Sequence, residues 1–223
     1  MSEWTYKGKN MSGWEGGSTP RLIELVGGDI NEDLESLKTR TIEAYKYRFD
    51  KFICDRDVVL DFGSGLGFGS EAFTVSKYVC ADISQSMLSR IPADVEHVEI
   101  GRNDLSALHD YTFTKIISHA VFVHLEIPEV VYYLKQFKSI LAQLGEVIFT
   151  YKNLDLLDVN DPLFLDHTDR LMRNREFQTR SISYISPSAI KHISEQLGYK
   201  YVDADPSNEF DKTARLINEP MDI

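Results

Sequence analysis

A glycine-rich stretch is the part of the sequence best suited to bind a small polar ligand. Glycines occupy positions 63, 65, 67 and 69, directly after an apolar run that ends in Asp61 and Phe62. Glycine lets a backbone turn sharply and lie close to a ligand, where a Cβ atom would collide. A helix after such a turn would also offer N–H groups that have no partner within the helix. The stretch VVLDFGSGLGFGSEAF therefore predicts a strand, a loop that binds a flat polar ligand, and a helix.

The spacing of these glycines narrows the class of ligand. A dinucleotide-binding loop has the pattern G-x-G-x-x-G, whereas this chain has G-x-G-x-G-x-G. A P-loop needs a lysine after its last glycine, but Gly69 is followed by Ser70, so the main cation for phosphate binding is missing. The spacing therefore disfavours a dinucleotide oxidoreductase and a P-loop phosphate site.

Acidic and amide side chains follow the next two predicted strands. Asp82 ends the second strand, where an acid can accept hydrogen bonds from both hydroxyls of a ribose. Asn103 and Asp104 follow the third strand, where they could accept from the amino group of an adenine. The alternatives are structural, with Asp82 as a cap or turn acid and Asp104 as a helix N-cap.

Alternating strands and helices must position these side chains. Apolar runs predict strands at residues 57–62, 77–83, 95–100, 113–120, 145–151, 199–205 and 213–219. Helical patterns lie at residues 35–52, 69–76, 84–91, 128–144 and 186–198, with Ser84 and Ser186 as N-caps. This rhythm is typical of an α/β fold with a Rossmann-like, doubly wound and mostly parallel sheet. Ligands of such sheets bind outside the carboxyl ends of the strands.

Two segments do not follow this alternation of strands and helices. Residues 1–35 are rich in glycine and contain two tryptophans, which fits an N-terminal arm that covers the pocket or an irregular terminus. The remainder, residues 36–223, is expected to be one domain with a substrate lid inserted at about residues 152–185. The insertion contains His167, four arginines and Tyr184. Arg170 and Arg173 would bind an anionic substrate group, or else pair with nearby acids on a solvated helix face.

Composition limits the partners. The formal net charge of −11 disfavours DNA or RNA as a substrate, because the phosphate backbone would be repelled. Cys54 and Cys80 form no metal-ligand pattern and are expected to be reduced, buried thiols of a cytoplasmic protein, although a bond between them remains an alternative. No secretory signal and no apolar run of bilayer length is visible. A monomer or homodimer is expected.

Taken together, these motifs resemble the class I S-adenosylmethionine-dependent methyltransferases. The resemblance rests on VVLDFGSGLGFGS, VCADISQSML, NDL, FTKIISHAVFVHL and LGEVIFTYKN, and it extends from about residue 37 to residue 216. The segment SYISPSAIKHISEQLGYKYVDAD is similar to the C-terminal part of the branch that acts on small molecules. The resemblance implies a seven-stranded sheet with one antiparallel strand. It also implies S-adenosyl-L-methionine as cofactor and S-adenosyl-L-homocysteine as product.

The resemblance further implies roles for the loop residues. Gly63, Gly65 and Gly67, with Ser64 in the same turn, would line the methionine part of the cofactor. Asp61 would orient the loop and lie near the amino group of that methionine.

Other roles are implied at the ends of the second and third strands. Asp82 would hold the ribose, and Asn103 and Asp104 would flank the adenine. Ile83 and Leu105 would enclose the adenine ring from its two sides.

Candidates for a general base lie where the fourth and fifth strands end. His119 directly follows the fourth strand and would face the transferred methyl group beside the cofactor, while His124, Tyr151 and His167 are further candidates. A hydroxyl acceptor benefits from such a base, and an amine acceptor must lose a proton to present its lone pair. Each candidate has a structural, hydrogen-bonded role as its alternative. No metal site is predicted, since His119 and His124 have no third ligand nearby.

Two other functions are compatible with the same motifs. A protein or nucleic-acid methyltransferase would be expected to carry a docking domain or a basic groove, and the NPPY-like motif of base-modifying relatives is replaced here by SHAVFVHL. A non-catalytic regulator that binds S-adenosylmethionine is disfavoured by the intact loop and by Asp82. The sequence favours methyl transfer to an oxygen or nitrogen atom of a small, in one interpretation anionic, acceptor.

Overall fold

A computed structural model describes residues 5–6, 9–10, 34–157, 183–204 and 211–220 of the chain. These segments form a mixed α/β fold, which confirms the predicted fold class. Within them, every helix is too short or too polar to cross a lipid bilayer.

A mixed sheet forms the centre of the molecule. Its eight strands are β3 (Val58–Phe62), β4 (Lys77–Asp82), β5 (Glu96–Glu99), β6 (Phe113–Ser118), β7 (Leu141–Asn153), β8 (Tyr184–Ile185), β9 (Lys200–Asp203) and β10 (Asp211–Ile217). They lie in the order β5-β4-β3-β6-β7-β10-β9, and β8 pairs with the end of β7. The short strands β1 (Thr5–Tyr6) and β2 (Lys9–Asn10) form a separate antiparallel pair.

Strand direction brings several carboxyl ends to one edge of the sheet. The pairs β3–β4, β3–β6, β4–β5 and β6–β7 are parallel, whereas β10 is antiparallel to both β7 and β9. Seven main strands with one antiparallel member were expected, and this prediction is confirmed. The residues after β3, β4, β5 and β6 therefore share one edge, which we call the carboxyl edge.

Helices cover both faces of the sheet and enclose two layers of core. The helices are α1 (Leu34–Phe49), α2 (Gln85–Leu88), α3 (Ile127–Ile140) and α4 (Pro187–Gln196). The larger core layer includes Phe137 of α3 and Ile190 of α4, and the layer on the other face includes Tyr45 and Phe49 of α1. Burial on both faces explains the continuous apolar runs of the central strands.

Helix α4 begins and ends as its sequence predicts. The hydroxyl of Ser186 accepts a hydrogen bond from the Ala189 N–H at 3.2 Å, and Pro187 occupies the first turn. Gly198 follows the helix with a φ of +74°. Ser84 also precedes a helix, but its side chain makes no capping hydrogen bond to α2.

The helix predicted at residues 69–76 is wrong. Only a 3-10 turn forms there, at Phe68–Glu71. The backbone must already return to the sheet, because the N–H groups of Ser76 and Lys77 both donate to the carbonyl of Asp57. Too few residues remain between these bonds and the glycine loop for a regular helix.

The predicted C-terminal end of the helix at residues 128–144 is also wrong. Helix α3 ends at Ile140, and β7 begins with the next residue. Asn218 causes this change, since its side chain donates to the carbonyls of Leu141 and Ala142 and its N–H donates to Gly145. These long-range hydrogen bonds favour an extended chain over a further helical turn.

Candidate functional site

The glycine loop is anchored to the neighbouring strand at the carboxyl edge. The N–H groups of Gly63 and Ser64 donate to the Ala81 carbonyl at 2.7 and 3.1 Å. Gly63, Gly65 and Gly67 have φ values of +75°, +55° and +72°, a conformation that disfavours residues with a side chain. The loop therefore has a fixed, close-packed path between β3 and β4.

Asp82 links this loop to the end of β4. Its two carboxylate oxygens accept hydrogen bonds from the N–H groups of Gly65 and Ser84, each at 2.9 Å. Burial raises the pKa of Asp82, although these backbone hydrogen bonds oppose the shift. Each carboxylate oxygen can accept more than one hydrogen bond, so Asp82 retains acceptor capacity for ligand hydroxyls. The adjacent Ile83 is 42% exposed, which is high for a side chain of its size and apolar character.

Asp61 lies beneath the loop, away from solvent. Tyr45 donates to its two carboxylate oxygens at 3.0 and 3.1 Å, and Tyr78 donates to one of them at 2.9 Å. Burial raises the pKa of Asp61 from its ordinary value of 3.8 to about 7, although the tyrosine hydrogen bonds oppose the shift. The carboxylate is thus bound by two tyrosine hydroxyls within the core, two residues before the first glycine of the loop.

Asn103 and Asp104 lie in an exposed turn after β5. Asn103 has a φ of +56°, and the carboxylate of Asp104 accepts from the Ser106 N–H at 2.9 Å. This bond lowers the pKa of Asp104 and closes a local turn, whereas the 3-10 turn that follows, Ser106–Leu108, has Leu105 at its N-cap position. Leu105 is 0% exposed and packs in the core, so its side chain has no surface free for a ligand.

One face of α3 holds this turn in place, which sequence reasoning missed. Tyr132 donates to the Asn103 carbonyl at 2.7 Å, and the Asn103 N–H donates to the Tyr133 hydroxyl at 3.2 Å. Glu129 forms an ion pair with Arg102, one residue earlier in the turn. Glu129, Tyr132 and Tyr133 are spaced as neighbours on one helix surface, and that spacing was the available signal.

His119 lies at the carboxyl edge, directly after β6. Its ring packs against Tyr45 with centroids 5.2 Å apart and against Phe49 at 6.3 Å. Burial lowers the pKa of His119 to about 4, and the positive charge of Arg48 acts in the same direction. At neutral pH the imidazole is therefore uncharged and has one ring nitrogen available as an acceptor.

Two of the three further candidates for a base lie within the described residues. Tyr151 is 1% exposed, and its hydroxyl lies near that of Tyr201 without a well-formed hydrogen bond among the described residues. Burial raises the pKa of Tyr151, so the hydroxyl keeps its proton. His124 is half-buried at the end of a 3-10 turn, Phe122–His124.

The remaining predicted residues are partly outside the described segments. His167, Arg170 and Arg173 fall outside them, as does most of the predicted lid. Tyr184 is half-buried in β8, where it pairs with Lys152 beside the carboxyl end of β7. Ser64 is buried, and its hydroxyl has no hydrogen-bond partner within the described residues.

The sequence also leads to an expectation for the state of the two cysteines, and it predicts no metal site. Both cysteines are free thiols, but Cys54 is exposed, so the expectation that both are buried is wrong for Cys54. Cys54 follows α1 in a turn, where its N–H donates to Asp57 and its side chain remains on the surface. Among the described residues no cluster of three or more potential metal ligands is present.

A comparison with family models identifies the loop and the strands around it. Residues 60–149 match the family model described as a methyltransferase domain. This chain carries a methyltransferase domain. The match supports the resemblance of the chain to class I S-adenosylmethionine-dependent methyltransferases.

Solved structures share the fold of this methyltransferase at low sequence identity. Magnesium protoporphyrin IX methyltransferase from Synechocystis PCC 6803 is 13% identical with a TM-score of 0.59, over 89% of this chain and 93% of its own. A Pyrococcus horikoshii OT3 protein is 21% identical with a TM-score of 0.60, over 86% and 93% of the two chains. A possible histamine N-methyltransferase from Thermotoga maritima is 13% identical with a TM-score of 0.57, over 82% and 92%.

One of these structural neighbours has been solved with its ligands bound. The Synechocystis enzyme was crystallised with S-adenosylhomocysteine and also with S-adenosylmethionine. Binding of S-adenosylmethionine and S-adenosylhomocysteine is thus observed for an enzyme that shares the fold of this chain. A search of curated proteins gives no match to this methyltransferase.

The raised pKa of Asp61 predicts a pH-dependent stability. Between its ordinary value of 3.8 and about 7, the folded protein binds a proton that the unfolded chain has released. The free energy of unfolding therefore falls as pH rises through this range, by about 1.4 kcal/mol for each unit of pKa shift. Asp61→Asn removes this contribution, and its amide can still accept from one tyrosine and donate to the other.

Urea unfolding at a series of pH values tests this expectation. The stability of Asp61→Asn relative to the wild type should rise between pH 4 and pH 7 and then level off. Asp57→Asn is the control, because hydrogen bonds from Cys54 and Thr114 outweigh burial and lower the pKa of Asp57 below 3.8. Its stability relative to the wild type should fall with rising pH only below about pH 4 and stay level between about pH 4 and pH 7. Parallel curves for wild type and Asp61→Asn would contradict the assignment.

Proposed function

We propose that the protein transfers a methyl group from S-adenosylmethionine to an oxygen or nitrogen atom of a small-molecule acceptor. The observation that carries the proposal is the hydrogen bond between the Gly65 N–H and Asp82, which joins the glycine loop to the acid at the end of β4. This hydrogen bond holds the glycine loop and Asp82, the two parts of the expected cofactor site, in a fixed arrangement. The net charge of −11 favours a small acceptor over a nucleic acid.

The described residues fit the cofactor. The free acceptor capacity of Asp82 suits the two ribose hydroxyls, and the exposed side chain of Ile83 would be covered by one face of the adenine. Asn103 and Asp104 lie in the exposed turn where the edge of the adenine would end. Leu105 would contribute through its backbone, because its side chain is buried.

The methionine part would lie over Gly63, Ser64, Gly65 and Gly67. The absence of side chains at three of these positions leaves the backbone open to close approach. Asp61 would act from beneath, by fixing the orientation of the strand end from which the loop starts.

The cofactor supplies a methyl group that its positively charged sulfur already activates. The protein then needs mainly to position the acceptor and to exclude water. His119 would accept a hydrogen bond from the acceptor through its neutral imidazole and so hold the attacking atom in place. A pKa of about 4 makes it a weak base, which suits an acceptor that loses its proton easily.

Tyr151 and His124 would assist at the same edge. The Tyr151 hydroxyl keeps its proton, so it would donate a hydrogen bond to an acceptor rather than remove a proton. His124 follows β6 on the 3-10 turn and would orient the chain around His119.

We further propose the organisation of the whole chain. Residues 1–35 would form an arm over the pocket, and residues 36–223 the methyltransferase domain, with a lid at about residues 152–185. Within the lid, His167, Arg170, Arg173 and Tyr184 would bind the acceptor, including an anionic group where the acceptor has one. The protein would act in the cytoplasm as a monomer or a homodimer.

Transfer of an isotope-labelled methyl group tests the acceptor class. Purified protein and methyl-labelled S-adenosylmethionine are incubated with the small-molecule, protein and RNA fractions of a lysate, each separately. The proposal expects label in the small-molecule fraction with the wild type, and a large loss of label with Asp82→Ala. Label in the protein or RNA fraction would contradict it, as would failure to label any fraction by a protein that binds S-adenosylhomocysteine.

A further inference from the structure

Tyr45 is the residue at which α1, the glycine loop and His119 meet. Its hydroxyl donates to both carboxylate oxygens of Asp61, at 3.0 and 3.1 Å. Its ring is tilted by 41° against the imidazole of His119, with the centroids 5.2 Å apart. Tyr45 itself is 3% exposed, so all three contacts lie inside the protein.

The glycine loop is shaped to admit this ring. A Cβ atom on Gly69 would lie 2.3 Å from Cε1 of Tyr45, well inside any allowed contact distance. Gly69 thus permits the ring to lie directly against the last glycine of the loop. The contact explains why the fourth glycine occurs in a pattern that needs only three for the turn itself.

Within the described residues, Tyr78 shares with Tyr45 the hydrogen bond to Asp61 but not the ring contact with His119. Its hydroxyl donates to the same carboxylate at 2.9 Å. Among the described residues, the aromatic rings that contact His119 are those of Tyr45 and Phe49, both on α1. The two tyrosines therefore allow the effect on Asp61 to be separated from the effect on His119.

We propose that Tyr45 is a positioning residue that fixes the glycine loop through Asp61 and holds the His119 imidazole at the carboxyl edge through its ring. The inference rests on the proposed function, because it assigns the loop to the cofactor and His119 to the acceptor. Helix α1 is then part of the site, although none of its residues needs to touch the cofactor or the methyl acceptor. A tyrosine meets both requirements, whereas phenylalanine meets only the second.

Three variants test the two halves of the proposal. Tyr45→Phe keeps the ring and loses the hydroxyl, Tyr78→Phe removes the other donor to Asp61, and Tyr45→Leu removes the ring as well. Affinity for S-adenosylhomocysteine is measured by calorimetry. The pKa of His119 is measured by NMR on protein with labelled histidine, assigned from the spectrum of His119→Gln.

The expected pattern differs between the variants. Tyr45→Phe and Tyr78→Phe should each weaken binding of S-adenosylhomocysteine by about threefold to tenfold, the equivalent of one hydrogen bond. Both should leave the titration of His119 unchanged. Tyr45→Leu should raise the pKa of His119 by about one unit or more, because water reaches the ring. Arg48, Arg40 and Asp211 are the charged groups that act on this imidazole, and all remain in place.

Two outcomes would overturn the inference while leaving the proposed function intact. One is wild-type affinity for S-adenosylhomocysteine in Tyr45→Phe, and the other is an unchanged His119 titration in Tyr45→Leu. Phe49→Leu is the control for lost core volume, and it should leave the affinity for S-adenosylhomocysteine near that of the wild type. If the wild type does not bind S-adenosylhomocysteine, the proposed function fails, whereas the His119 titration still tests the contact with Tyr45.

Discussion

Asp82→Asn is expected to weaken binding of S-adenosylhomocysteine by roughly a hundredfold. Two hydrogen bonds from ribose hydroxyls to a charged carboxylate, at about 1.5 kcal/mol each, correspond to this factor. The variant keeps the shape of the side chain but removes its charge and half of its acceptors. Isothermal titration calorimetry on protein freed of carried-over cofactor measures the change directly.

The same substitution affects the loop, and a control is needed. The new amide N–H₂ faces the N–H of either Gly65 or Ser84, so thermal unfolding must show that the variant is folded at the temperature of the titration. Asp104→Asn is the matched control, since its carboxylate is exposed and accepts a hydrogen bond from the nearby Ser106 N–H. We expect it to weaken binding by about fivefold or less, the equivalent of one ordinary hydrogen bond. Equal affinities for wild type and Asp82→Asn would contradict the assignment of Asp82 to the ribose.

Gly63→Ala is expected to destabilise the protein strongly. Gly63 has a φ of +75°, and an added Cβ would lie 2.3 Å from Cγ2 of Val121. Backbone strain and overpacking together predict a loss of about 2–5 kcal/mol in the free energy of unfolding. For a chain of this size, the melting temperature should fall by roughly 5–15 °C.

Gly65→Ala separates strain from steric collision. Gly65 also has a positive φ, of +55°, but a Cβ there meets nothing nearer than the sulfur of Met87 at 3.6 Å. We expect a loss of only about 1–2 kcal/mol, from backbone strain alone. Differential scanning calorimetry of both variants provides the comparison. A loss for Gly65→Ala that equals or exceeds the loss for Gly63→Ala would show that the contact with Val121 is unimportant.

The sequence predicts the sheet and the loop well because local patterns determine them. Apolar runs that are buried on both faces specify strands such as β3 and β4 wherever they occur. The positive φ values of Gly63, Gly65 and Gly67 correspond directly to the absence of side chains there. The acid at the end of β4 is predictable because a strand end fixes its place at the carboxyl edge.

The two errors in the helices arise from contacts between distant residues. Asn218 holds the start of β7 in an extended conformation, and no sequence pattern near residue 141 indicates this long-range contact. Asp57 binds the N–H groups of Ser76 and Lys77, and so ends the loop segment before a helix can form. In both places long-range hydrogen bonds override the local helical periodicity.

The sequence predicts the candidate site only in part, because the surroundings of its residues also depend on contacts between distant parts of the chain. Asp61 and His119 were identified from their positions after strands, but their environment depends on Tyr45 and Tyr78, which come from other elements. The low pKa of His119 results from burial against α1, and this could not be inferred from the residues around it. Tyr132 and Tyr133 are spaced as helix neighbours, yet their target, the turn at Asn103, is visible only in the fold.

A crystal structure of the protein with S-adenosylhomocysteine is the most direct test of the central claim, that the cofactor lies over the glycine loop and against Asp82. We expect both ribose hydroxyls within hydrogen-bond distance of the Asp82 carboxylate. The methionine part should lie over Gly63 to Gly67, and the adenine between Ile83 and the turn at Asn103. S-adenosylhomocysteine bound elsewhere, or with its ribose remote from Asp82, would contradict the account.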